Sequence, residues 1–289
     1  MQTQFFNAAL LATTLGSGCG SSKPAADTGS ALNAGDLSVL TYNVHGLPSL
    51  ITGDDTPERM RQIAPRLTTH DIIGLQEDFD EDNHASLVGA ADHTTALWFG
   101  DKLPDRIYGS GLSMLARAPV VAHQHVHYAT CNGTTDAASD CLASKGFQAV
   151  RLRIGEATLD VYNTHLEAGG GAADNEARSA QVDALVESLS DWSHGQAVIF
   201  TGDFNLRETD TEDLPLITRL LSEAELERAC WAVDCDAPHH IDKILFRSST
   251  RLSLNATGWK NVEADFRDAD GVPLSDHPAI EATFDWITD

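Results

Sequence analysis

Short apolar runs recur along the chain and set its frame. The runs at 37–42, 72–75, 112–115, 147–154, 158–163, 198–201, 241–246 and 279–284 each have the length of a strand. In the run at 147–154, Phe147, Ala149, Arg151 and Arg153 alternate with Gln148, Val150, Leu152 and Ile154, so one face is apolar from Val150 onward. Helical spacing is rarer. A helix is expected from Thr56, with Thr56 as N-cap, Pro57 in the first turn, and Met60, Ile63, Ala64 and Leu67 on one side. Pro65 should kink or tighten it. A longer helix is expected over 174–192, with Val182, Leu185, Val186 and Leu189 on one stripe. A third runs from about 212 to 226 through Ile217, Leu220 and Leu221. Many strands separated by a few helices predict a layered α/β protein, with two packed sheets flanked by helices.

The N-terminal segment reads differently. Phe5 to Leu15 is apolar, of the length of a signal-peptide core and too short to span a bilayer. Small residues and Cys19 follow, in the pattern of a bacterial lipobox, so 1–19 is expected to be an export signal with Cys19 as the acylated residue. The pattern departs from the usual one in having Gly16 where Leu is common and no Lys or Arg ahead of the apolar stretch. Residues 20–35 are rich in Ser, Ala, Gly and Pro and read as a flexible tether. One domain is expected over 36–289.

Setting Cys19 aside leaves Cys131, Cys141, Cys230 and Cys235, two sequence-local pairs. In an oxidising compartment these suggest Cys131–Cys141 and Cys230–Cys235 disulfides; their spacing fits no usual zinc pattern. The chain carries 43 Asp and Glu against 19 Lys and Arg, a formal charge of −24. Such a surface repels a phosphate backbone at long range and disfavours nucleic acid as a partner. Asn132-Gly-Thr134 and Asn255-Ala-Thr257 match the N-glycosylation acceptor pattern, which the expected bacterial-type lipoprotein signal would make coincidental.

Polar residues punctuate the strand ends: Thr41-Tyr-Asn43, Leu75-Gln-Glu77, Asn163-Thr-His165, Val198-Ile-Phe-Thr-Gly-Asp203-Phe-Asn205, and Ser275-Asp276-His277. Taken singly, each fits an ordinary structural role. Together they suit hydrolysis of a phosphoester, which needs the phosphate charge neutralised, a water activated and the leaving oxygen stabilised. Glu77 is the best candidate metal ligand, with Asn43 positioning it or joining the metal shell. His277 is a candidate base, requiring a carboxylate other than its neighbour Asp276 to fix its tautomer. Asp276 could serve the metal or orient His165. A second imidazole at His165 could stabilise the transition state. Asp242 could protonate the leaving group or polarise a water. The adjacent His239-His240 pair resembles a metal motif without the other ligands. Lys145 and Arg178 are weaker candidates for contact with phosphate.

In this combination and order, with Ile241-Asp242 between the last two segments, the chain resembles the endonuclease/exonuclease/phosphatase superfamily, over 37–284. The resemblance implies a four-layer α/β/β/α sandwich of two mixed sheets and Mg²⁺-dependent phosphoester hydrolysis, other divalent cations being possible. It implies His277 as base, Asp203 and Asn205 as the pair orienting water and phosphate, His165 on the phosphate, Glu77 with Asn43 and Asp276 on the metal, and Asp242 near the leaving group. Gly109-Ser-Gly-Leu-Ser-Met-Leu-Ala-Arg117, Lys145-Gly-Phe-Gln and Thr164-His-Leu-Glu-Ala-Gly-Gly170 resemble its sphingomyelinase-type branch. A phospholipid head group is then the expected substrate and a monomer the expected form, held at a membrane by its lipid anchor. No exposed aromatic pair in a hairpin is evident for insertion into a membrane; Trp98-Phe99 is the nearest candidate. An extracellular nuclease and an inositol-phosphate phosphatase are the alternatives within the superfamily. A catalytically inactive surface binding protein is the alternative outside enzymes.

Overall fold

The computed structural model describes residues 33–133, 140–235 and 240–289. The expected signal and Cys19 lie outside these residues, as do most of the expected tether and His239. The first strand, β1 (Ala34–Asn43), begins two residues ahead of the expected domain boundary. The other strands are β2 (Ile72–Gln76), β3 (Thr95–Phe99), β4 (Leu112–Ala116), β5 (Val120–His127), β6 (Gly146–Ile154), β7 (Ala157–His165), β8 (Ala197–Asp203), β9 (Glu227–Arg228), β10 (Asp242–Arg247), β11 (Leu252–Asn261) and β12 (Ile280–Thr288). The helices are α1 (Ser49–Thr52), α2 (Thr56–Ile63), α3 (Glu81–Gly89), α4 (Ala172–Asp191), α5 (Leu214–Glu223) and α6 (Ala229–Ala232).

Two six-stranded mixed sheets result, in the orders β11-β12-β1-β2-β4-β3 and β5-β6-β7-β8-β10-β9. Each has one parallel pair near its centre, β1 with β2 and β7 with β8. Strand alternation explains the layering. Leu37 and Val39 face the other sheet, while Leu40 and Tyr42 of the same strand face α2 and α3. In β8, Ala197 and Ile199 point between the sheets, and Val198 and Phe200 point to α4 and α5. Three apolar layers therefore separate four layers of structure, as the resemblance implies. Emptying one of these buried positions, Phe200→Ala for example, is expected to cost about 3–5 kcal/mol.

Where the sheets meet near their active ends the filling is polar. Gln76 Nε2 donates to Asn163 Oδ1 at 2.7 Å and to Thr41 Oγ1 at 3.2 Å. Asn163 Nδ2 donates back across the sheets to the Leu75 and Ser113 carbonyls, at 2.8 and 3.0 Å. Gly74 makes this approach possible: a Cβ there would stand 2.1 Å from Thr201 Oγ1 and 2.9 Å from Asn163 Oδ1.

The local predictions hold with shifts. The N-cap of α2 is Asp55, whose side chain accepts from Glu58 N at 3.1 Å, and Thr56 is the first helical residue. Pro65 tightens the chain into a 3₁₀ helix over Ala64–Thr69. In the acidic stretch after Glu77, Asp80 caps α3, accepting from Asn83 N at 3.0 Å, with Glu81 and Asp82 favourably placed in its first turn. Trp98 and Phe99 are not a membrane-facing pair. Trp98 stacks on His84 with ring centres 4.9 Å apart and donates to the Asp78 carbonyl, while Phe99 is buried. Both expected disulfides, Cys131–Cys141 and Cys230–Cys235, are formed.

Candidate active site

The parallel pairs bring the punctuating residues together. Register places His165, Asp203 and Asp242 side by side on three adjacent strands, β7, β8 and β10. In the other sheet Asn43 sits opposite Gln76, so Glu77 follows immediately at the same end. The loop entering β12 supplies Asp276 and His277. It is fixed by Ser275, whose buried Oγ donates to the Asn43 carbonyl at 2.6 Å and accepts from His277 N at 3.2 Å. Among the described residues, three of the five non-glycine positions with positive φ lie here, His45, Glu77 and Asn205, a local strain typical of sites whose geometry is set by function.

Asn43 joins the halves. Its Nδ2 donates to Glu77 Oε1 at 2.9 Å and to Asp203 Oδ2 at 3.3 Å, and its Oδ1 accepts from His45 N at 3.0 Å. Asp203 Oδ1 accepts from Asn205 N at 3.0 Å, while Oδ2 lies 3.5 Å from His165 Nε2 and 3.8 Å from His277 Nε2. Asn205 Nδ2 donates to the Leu166 carbonyl at 3.1 Å.

His277 Nδ1 lies 3.0 Å from Asp242 Oδ2 and 3.2 Å from Oδ1, so it is the protonated nitrogen and Nε2 faces Asp203. Asp242 was expected near the leaving group. Both its oxygens turn to His277, where the sequence required a carboxylate other than Asp276 without naming it. Burial works against charge on His277, but the hydrogen bond and charge of Asp242, with Asp203 and Asp276, outweigh it and raise its pKa to about 10. His165 moves the other way: burial, then the charges of Lys145 and His277, hold its pKa well below the usual histidine value, so its ring is neutral.

Asp276 pairs with His45, at 3.3 Å from Nδ1, and the same nitrogen lies 3.9 Å from Glu77 Oε2. His45 was missed at the sequence level; its signal was its place two residues beyond Asn43, on the same side of the leaving chain. Lys145 and Arg178 border the site with their charges already matched. Lys145 Nζ pairs with Asp140 at 2.6 Å and donates to the Leu166 carbonyl at 2.7 Å, the same oxygen that Asn205 holds. Arg178, buried, donates to the carbonyls of Glu167, Ala168 and Gly169 and pairs with Asp213 at 3.3 Å. These contacts fix the turn after His165 rather than offer a free guanidinium.

Glu77, Asp203, Asp242 and Asp276 thus converge, and among the described residues their ion-pair partners are His45, His165 and His277, with no Lys or Arg. Burial raises the Glu77 pKa, with the Asn43 amide opposing. Asp203, Asp242 and His277 also place one ligand atom each within 4.8 Å of one another. Four converging carboxylates that no Lys or Arg neutralises among the described residues fit a divalent cation. Such a cation, when bound, neutralises this acidic field together with the charge of a phosphate. An open cavity of about 270 Å³ leads to His45, Ser275 and Asp276, and another of about 640 Å³ adjoins Asn205.

A doubly layered sandwich with an aspartate-held imidazole and an acidic cation site at its strand ends defines a phosphoesterase-type centre. The chain belongs to the Endonuclease/Exonuclease/phosphatase family, whose pattern matches residues 40–277. It is 31% identical over 280 residues to a sphingomyelinase of Mycobacterium tuberculosis, covering 89% of this chain. The chain spans about half, 54%, of that relative's length. Its fold is similar to sphingomyelinase C from Streptomyces griseocarneus, with a TM-score of 0.66 and 19% identity over 86% of this chain and 99% of the other. It is also similar to a beta toxin variant from Staphylococcus aureus bearing bound magnesium ions, with a TM-score of 0.64 and 14% identity over 86% of this chain and 99% of that one.

Proposed function

We propose that this protein is an exported phosphodiesterase that hydrolyses the head-group phosphodiester of sphingomyelin-type phospholipids with Mg²⁺ as its cofactor. The observation that carries the reading is the Asp242–His277 pair facing Asp203 across 3.8 Å. With Mg²⁺ offsetting the acidic field that raises its pKa, His277 would present an unprotonated Nε2; a water between Nε2 and the substrate loses its proton to that nitrogen as its oxygen attacks phosphorus, and the bond to the lipid oxygen breaks, that oxygen taking a proton from solvent. Asp203 and Asn205 orient water and phosphate. Neutral His165 donates a hydrogen bond to a phosphoryl oxygen as charge builds there. Glu77, with Asn43 and Asp276, would hold the Mg²⁺. The sphingomyelinase relatives support the lipid substrate over DNA, as does the charge of −24. The two disulfides and the leader pattern support export, with Cys19 as the anchor.

The test is release of phosphocholine from sphingomyelin vesicles with and without Mg²⁺, with His277→Ala as control and plasmid DNA in parallel. Release that needs both Mg²⁺ and His277 supports the reading. Cleavage of DNA alone moves the enzyme to the nuclease branch, and inactivity on both turns the search to soluble phosphate esters or to a binding role.

A further inference from the structure

The acids that follow Glu77 are not alike. Asp80, Glu81 and Asp82 are exposed, but the Asp78 side chain is fully buried. Its two oxygens are used unequally. Oδ2 accepts from Ser113 Oγ at 2.5 Å and lies 2.6 Å from His84 Nδ1, while Oδ1 has no partner among the described residues. A carboxylate taken out of water with one oxygen unmet is a poor device for stability, since an apolar side chain of similar size serves at least as well. Its value lies in what it holds in place.

Three strands or helices converge on Asp78, and two of them close a ring with it. From α3, His84 reaches the carboxylate. From β3, Trp98 stacks on the His84 imidazole, and its Nε1 donates to the Asp78 carbonyl at 2.8 Å, which completes the ring. From β4, Ser113 meets the carboxylate, and the Gly111 carbonyl just ahead of that strand accepts from Asp78 N at 2.9 Å. The side chain, N–H and C=O of this one residue are all tied down.

The residue that gains is Glu77. Its φ of 61° is left-handed, which is unfavourable for a residue with a side chain and persists only where the surroundings over-determine it. On one side the Gln76 carbonyl accepts from Val44 N at 2.9 Å. On the other stands the Asp78 ring. The Glu77 carbonyl between them is closely covered by Gly46, where a Cβ would stand 2.1 Å away. With the backbone pinned on both sides, the Glu77 carboxylate keeps its contact with Asn43 Nδ2 at 2.9 Å, at the end of the sheet where Asp203 also lies.

We propose that Asp78, His84 and Trp98 are positioning residues: they lock the left-handed turn at Glu77 and so pre-form its carboxylate's place in the cation site, without touching the cation themselves. The inference rests on Glu77 being a cation ligand, and the test separates the two claims. The probe is Mn²⁺ alone, with the free ion read by electron paramagnetic resonance, on the full chain at a temperature where circular dichroism shows every variant folded. His84→Ala, a change that a part-exposed helical position accommodates, should raise the Kd of the tightest site about ten-fold. Asp78→Asn can keep an oxygen at the Oδ2 position for both of its donors, so its Kd should stay within about two-fold of the wild type. In the Glu77→Gln background His84→Ala should add less than about two-fold, because the side chain it acts through is already changed.

A Kd unmoved by His84→Ala, or a full further loss on top of Glu77→Gln, overturns the proposal. A ten-fold loss in Asp78→Asn, as about the size expected for a lost anionic ligand, would mean that the Asp78 charge acts on the cation directly, and overturns it as well. If Glu77→Gln alone leaves Mn²⁺ binding unchanged, the cation reading of Glu77 falls and the positioning role falls with it.

Discussion

His277 Nδ1 and Asp242 Oδ2 lie 3.0 Å apart, yet they come from different sheets: Asp242 opens β10, and His277 sits on the loop into β12. Asp242→Asn leaves the shape intact but offers Nδ1 an amide that can turn its NH₂ toward the ring and favour the wrong tautomer. A fall in kcat of about 10²–10⁴ is expected, with little change in KM, measured on whichever phosphodiester the wild type turns over.

Glu77 is part-buried beside Asn43 and has no Lys or Arg partner among the described residues. Glu77→Gln should weaken divalent-cation binding by about 10–100-fold, as seen by titration calorimetry, since one anionic oxygen donor is lost. Chelator should abolish activity while circular dichroism stays unchanged, because the strands here are held by apolar layers and not by the ion.

Gly74 has no room for a side chain. Gly74→Ala should destabilise the fold by about 1–3 kcal/mol in denaturant unfolding. Combining it with Thr201→Ala removes the nearest obstructing atom and should recover part of the loss; simple additivity of the two changes would show that the contact is not the cause.

Glu167 gives a pH signature away from the candidate cation ligands. Burial, then the charge of Asp140, raises its pKa from 4.5 to about 7. The folded state therefore binds this proton more tightly than the unfolded one. Its stabilising contribution is complete below pH 4.5 and is lost as pH rises through about 7. Glu167→Gln keeps an acceptor oxygen for Asn132 N but loses the bond that Gln181 Nε2 makes to the second carboxylate oxygen, and its Tm, though lower at the outset, should fall less than that of the wild type between pH 5 and 8. Parallel Tm profiles for the two proteins would rule out this origin.

The strands that build the site were legible because they are apolar runs ending in a polar residue, as in β8 up to Asp203. Those left unread are half-polar or short. β5 sets His123, His125 and His127 along one side, and His125 and His127 pack on Phe99, each with ring centres 4.5 Å apart. Imidazoles filling an apolar role give no hydrophobic signal. In β11, buried Leu252, Leu254 and Ala256 alternate with exposed polar residues, at the margin of a sheet. Site residues at fixed strand ends could be read singly, but not which would touch. Asp242 sits 35 residues before His277, and only the register of β8 against β10 and the seating of Ser275 on Asn43 bring them together.

The Gln76–Asn163 clasp beneath the site has a kinetic meaning. One sheet is assembled from the two ends of the described chain and the other from its middle, so contacts between the sheets are expected to form after the middle sheet is paired and β12 has closed the other. Until then Asp242 and His277 are strangers. A chain with every strand paired but its sheets undocked would have native secondary structure and no base, so recovery of activity during refolding should lag recovery of the far-ultraviolet signal and time the closing of that interface.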